Sequence, residues 1–176
     1  MANTPITSLP VAAQLDPLAW LEIAAPVSLG SSTYVSKRAQ AQQVANAFAN
    51  QLPAMVEYVC DEGGTILEVG NKGFLQVPFA GTIQGVTLLG NASGDVEVDI
   101  WLCSYSAFNG TSVPSDANSI VGGDYPAISG GTKFTSTTMG LWSPAFNASD
   151  ILSFYVRSCT AATRLTISLS CTRSVV

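Results

Sequence analysis

The stretch Asp95-Val96-Glu97-Val98-Asp99-Ile100-Trp101-Leu102 decides the fold. Successive side chains of an extended strand point to opposite faces, so Val96, Val98, Ile100 and Leu102 share one side and Asp95, Glu97, Asp99 and Trp101 the other. A helix would scatter both sets around its circumference. One dry face and one wet face are expected of an antiparallel sheet that covers a core on one side.

The same period recurs on both sides of this segment. Leu152, Phe154 and Val156 alternate with Ser153, Tyr155 and Arg157, and Leu165, Ile167, Leu169 and Cys171 alternate with Thr166, Ser168, Ser170 and Thr172. Upstream, Thr65–Val69, Phe74–Phe79 and Thr82–Leu89 read as short strands. They are separated by Gly63-Gly64, Asn71-Lys72-Gly73 and Gly90-Asn91-Ala92-Ser93-Gly94, residues that tight turns require. From Ser104 to Trp142 the rhythm breaks, and Gly, Ser, Asn, Pro114 and Pro126 predict long loops carrying short strands at one end of the fold. The fold class expected is mainly β, an antiparallel β-sandwich or jelly roll over residues 54–176.

Residues 1–53 form a different, smaller segment. Ala41, Val44, Ala45 and Phe48 recur at spacings of three and four, which predicts one short helix over Ala39–Leu52, stopped by Pro53.

Of the 176 residues, 47% are apolar, enough for a core, and only 11% are charged, so the surface must be largely Ser, Thr, Asn, Gln and Gly. Such a surface suits contact with other subunits. The net charge of −5 and the scattered Lys and Arg provide no basic stripe for nucleic acid. No window is apolar enough for membrane insertion, since Leu9–Leu29 holds three prolines with Asp16 and Glu22. No basic region precedes a continuous apolar run at the N-terminus, so no secretory signal is expected. The four cysteines Cys60, Cys103, Cys159 and Cys171 lack a Cys-x-x-Cys pair and are expected to be free, buried thiols, with a Cys159–Cys171 bridge as the alternative.

The chain contains no histidine, which removes the usual triads and His metal sites. Enzymatic readings then rest on carboxylates, and Asp95, Glu97 and Asp99 recur about 6.5 Å apart along one strand face. Glycosidases need opposed carboxyls across a cleft, whereas neighbours on one strand make a ridge. The three are expected to face solvent and discourage stray edge pairing, with a Ca²⁺ site as a lesser alternative. No catalytic residue, metal ligand or cofactor is assigned. Trp101, Tyr105, Phe108, Tyr125, Phe134 and Trp142 gather around the loop-rich stretch as core plugs or as a sugar-stacking surface. Tyr105, Asn109, Asp116, Asn118, Asp124 and Tyr125 combine rings with amides and carboxylates, and are the candidate glycan-binding residues.

Two resemblances extend these readings. Pro5-Ile6-Thr7-Ser8-Leu9-Pro10, Leu15-Asp16-Pro17-Leu18-Ala19-Trp20-Leu21-Glu22-Ile23 and Thr33-Tyr34-Val35-Ser36-Lys37-Arg38 resemble the docking segment that opens many bacteriophage tail-fibre and appendage proteins. Ala24-Ala25-Pro26 departs from the Gln-Gly-rich turn usual there. Asp99-Ile100-Trp101, Pro126-x-Ile128-Ser129, Met139-Gly140-x-Trp142 and Asp150-Ile151-Leu152-x-Phe154-x-Val156 resemble a β-sandwich domain of phage virion proteins. The resemblances imply a virion location, a homotrimer, docking to other virion proteins through Ile6, Leu9, Pro10, Leu15, Trp20, Leu21 and Ile23, and adhesion to host surface polysaccharide. A head decoration protein without a ligand and a capsule-degrading enzyme are the alternatives.

Overall fold

The computed structural model describes residues 20–26, 34–40, 52–109 and 113–174. The chain divides into two compact units, 1–49 and 50–176. In the first, β1 (Trp20–Pro26) and β2 (Tyr34–Gln40) pair antiparallel with Trp20 opposite Gln40 and Pro26 opposite Tyr34. Ala39 and Gln40, expected to open a helix, therefore belong to β2, and residues 41–51 of that expected helix lie outside the described residues.

The second unit is one antiparallel sheet curled on itself, a sandwich-like fold. Its strands are β3 (Pro53–Asp61), β4 (Gly70–Gln76), β5 (Gly81–Cys103), β6 (Ala127–Ser136), β7 (Ala145–Phe146), β8 (Ile151–Cys159) and β9 (Arg164–Arg173). They are ordered β3-β9-β5-β8-β4, and β6 and β7 also pair with β5. β5 is the spine. Its first half pairs with β9 from Gly81↔Arg173 to Gly90↔Leu165, and its second half pairs with β8 from Val96↔Cys159 to Cys103↔Ile151.

The expected turn at Gly90–Gly94 is not a turn. The strand runs through it, and the register against β6 slips between Leu89 and Gly94, so the glycines bend β5 from one layer to the other without ending it. Thr65–Val69, expected as a strand, is the connection that carries the chain from β3 to β4 at the opposite end of the strand order, with only Leu67 of its apolar residues buried. β6, ten residues long, occupies the stretch expected to hold only loops and short strands.

The alternating apolar residues meet inside the curl. Val98, Ile100, Leu152, Phe154, Val156, Leu165, Ile167 and Leu169 are fully buried, and each contributes roughly 1.5–3 kcal/mol relative to exposure. Tyr58 of β3 stacks on Phe154 of β8 with centroids 4.5 Å apart, a contact between strands of the two layers. The curl almost closes: Tyr58 Oη donates to the Lys72 carbonyl of β4 at 2.6 Å, and Lys72 pairs with Glu62 just beyond β3. Gly73, at φ +140°, leaves the space this hydroxyl occupies, since a Cβ there would lie 2.0 Å from Tyr58 Oη.

All four cysteines are free, Cys60 and Cys171 buried and Cys103 and Cys159 half-buried. Burial pushes the Cys60 and Cys171 thiols up to about 11; at Cys60 the lowering effect of Lys72 and the raising effect of Glu62 are smaller. Both are therefore expected to resist a thiol-disulfide reagent at pH 8 until the protein unfolds, with mass spectrometry of the labelled chain as the readout. The unfolded thiols ionise near 9 and the folded ones near 11, so stability should fall as pH rises through that window and be insensitive to these groups below it.

Candidate functional site

The second half of β5 is paired on its other edge as well, opposite β8. Ile120 N–H donates to the Ile100 carbonyl at 2.9 Å, and Val98 N–H donates to the Pro126 carbonyl at 3.1 Å, so the segment 119–126 runs along this part of the strand. A single 3₁₀ turn, Asp116–Asn118, precedes it. The expectation that Asp95, Glu97 and Asp99 share an exposed face is corrected accordingly: Asp95 is exposed, Glu97 is half-buried and Asp99 is completely buried. Alternation places the three on one side. It does not reveal that a later loop covers that side.

Asp99 organises what lies there. Its Oδ1 accepts the Ser119 hydroxyl at 2.7 Å and the Ile100 N–H at 2.8 Å. Its Oδ2 faces Arg157 Nη1 at 3.5 Å and accepts no hydrogen bond. Arg157, brought alongside by β8, also meets Glu97 Oε1 at 3.2 Å through Nε and Asp116 Oδ1 at 3.4 Å through Nη1. Its guanidinium lies 3.9 Å from the centroid of the Tyr125 ring, a cation–π contact. Burial works against the charge of Arg157, but Tyr125, Asp99, Glu97 and Asp116 together outweigh it and raise its pKa. The guanidinium is a permanent cation held from four sides.

Beside it, Trp101 of β5 stacks on Tyr155 of β8 with centroids 4.6 Å and planes 26° apart. The Trp101 indole is 7% exposed, and its Nε1–H has no acceptor. Val69, Glu97, Trp101, Asp116, Tyr155 and Arg157 line an open hollow of about 430 Å³, within the usual size of small-molecule sites. The two buried side-chain polar atoms that lack a hydrogen-bond partner among the described residues, Asp99 Oδ2 and Trp101 Nε1, belong to this cluster. Such orphans are costly, and a native structure retains few of them.

Compared with known protein families and with curated proteins, the sequence matches none. The site is therefore read from its own chemistry.

Of the six candidate glycan residues, the structure brings Asp116 and Tyr125 together on Arg157. Asn118 is used locally, its Oδ1 accepting the Ser115 N–H at 3.1 Å. Tyr105, 64% exposed, and Asn109, also exposed, do not line the hollow. Asp124 is exposed, and with Tyr125 it borders a narrow crevice over Trp142, whose Nε1–H donates to the Asp124 carbonyl at 3.3 Å. Of the candidate docking residues, Trp20, Leu21 and Ile23 lie on β1, whereas Ile6, Leu9, Pro10 and Leu15 fall outside the described residues. Glu97, Asp99, Tyr155 and Arg157 are the site residues that sequence reasoning did not assign. The one available signal was an arginine on the polar face of an alternating strand, where a lone cation needs partners.

Proposed function

We propose that this protein is a non-catalytic structural component of a bacteriophage virion appendage, with residues 1–53 docking to other virion proteins and the sandwich displayed as an adhesion head. The observation that carries the adhesive part is the hollow itself. Its carboxylates are spent on holding Arg157 beside a stacked Trp101–Tyr155 pair, an arrangement suited to binding a polar ring compound and unsuited to the opposed acid and base that glycoside cleavage requires. All of these groups except Asp116 and Val69 stand on β5 and β8, two paired strands, so the surface is rigid before any ligand arrives.

Assembly into a homotrimer accords with the outer face of β3, β9 and β5, where Met55, Val59 and Leu89 are about half exposed among Thr and Ser side chains. The same face favours a second reading, a head decoration protein that only makes contacts. Deletion distinguishes the parts. A chain beginning at Pro53 is expected to keep its circular dichroism and melting behaviour, to bind host cells, and to fail to join virions; normal incorporation of the shortened chain would overturn the docking role of the N-terminal segment.

A further inference from the structure

Resting on the adhesive reading above, we infer that the Trp101–Tyr155–Arg157 hollow takes an uncharged saccharide unit and rejects acidic sugars. Glu97, Asp99 and Asp116 surround a single guanidinium, which leaves the site with two negative charges in excess. A carboxylated or phosphorylated sugar would bring a further anion within a few ångströms of that excess, at a cost in Coulomb energy, while the one cation, Arg157, already gives its Nε and Nη1 to three carboxylates and its face to Tyr125. A neutral pyranose suits the same groups. Its hydroxyls donate to Glu97 and Asp116, whose side chains are 40% and 79% exposed. Its C–H face packs on the half-buried Tyr155 ring and on Val69, a hydrophobic side chain 61% exposed at the rim. Trp101 lines the same hollow, so its indole resonance reports on whatever enters there.

The test uses the purified full chain and follows the indole N–H resonances of Trp20, Trp101 and Trp142 by NMR, assigned with a Trp101→Phe variant. Glucose, galactose, mannose, rhamnose and N-acetylglucosamine are titrated beside glucuronic acid and N-acetylneuraminic acid. At least one neutral sugar is expected to shift the Trp101 signal with a dissociation constant of about 1 mM, a typical single-site value before avidity acts. The acidic sugars are expected to leave the signal unmoved. Glu97→Ala and Asp116→Ala, both on accessible side chains, should weaken the response roughly tenfold each, the loss of one charge-assisted hydrogen bond. If an acidic sugar shifts Trp101 as well as any neutral one, the charge argument is overturned while the hollow remains a binding site. If no sugar moves the signal but the full chain still binds host cells, the hollow is not the site and adhesion lies elsewhere on the sandwich. If neither sugar response nor cell binding occurs, the adhesive reading falls with it.

Discussion

Ile100→Asp is expected to remove a large share of the stability of the sandwich and to lower its melting midpoint steeply. Ile100 sits at the middle of β5 with no exposure, pairs across to Phe154, and has only apolar neighbours on its side of the strand. A carboxylate placed there has no cation or N–H to meet it, and burying it should cost upwards of ~4 kcal/mol against a total stability of about 5–15 kcal/mol. Glu97→Gln, three residues earlier on the other face, loses one partly exposed ion pair at 3.2 Å and should cost well under ~1 kcal/mol. Thermal melts of the two variants give the comparison. Equal midpoints would mean that the faces of β5 are assigned the wrong way round.

The second large effect is expected at Arg157→Met. Removing the guanidinium strands Asp99, whose Oδ2 then has no charged neighbour and still no hydrogen-bond donor. Breaking a fully buried pair costs several kcal/mol; here Arg157 is 32% exposed and Asp99 Oδ1 keeps its bonds from Ser119 and Ile100, so about 2 kcal/mol is expected. The added change Asp99→Asn should recover most of it, because the side chain left behind is then neutral. A denaturant-unfolding cycle of the two single variants and the double variant measures this coupling. Simple additivity would show that the Asp99–Arg157 contact carries no energy of its own.

Much of the sandwich is legible in the residues alone. Val98, Ile100, Leu152, Phe154, Val156, Leu165, Ile167 and Leu169, assigned to core faces by alternation, are all buried. β3 escapes the same reading because both of its faces carry apolar residues: Val56 and Cys60 point inward, yet Met55 and Val59 stand outside, so no contrast marks the strand. The glycines at 90 and 94 mislead for another reason. Glycine marks a place where backbone must bend, and a bend within a strand and a turn between strands ask for the same residue. The hollow was the least legible part. Asp99 of β5, Ser119 and Tyr125 of the segment 116–126, and Arg157 of β8 come from three places in the chain, and their meeting depends on the return of that segment along β5, which no local pattern records. Besides the lone arginine on the polar face of β8, the aromatic richness of the region was what pointed toward it.

The 23-residue spine has a consequence for how the molecule is made. β5 is synthesised before β6, β7, β8 and β9, all of which pair with it, and its partners lie as far as about ninety residues downstream, as in Gly81↔Arg173. While the ribosome is still adding those residues, β5 has neither layer to join and its apolar face stays uncovered. Closing such distant pairings is slow, so the sandwich should form only once β9 has been made, in a single cooperative step on a millisecond-to-second scale. Until β9 has been made, the like charges of Asp95 and Glu97 are what the sequence sets against two nascent copies joining at β5.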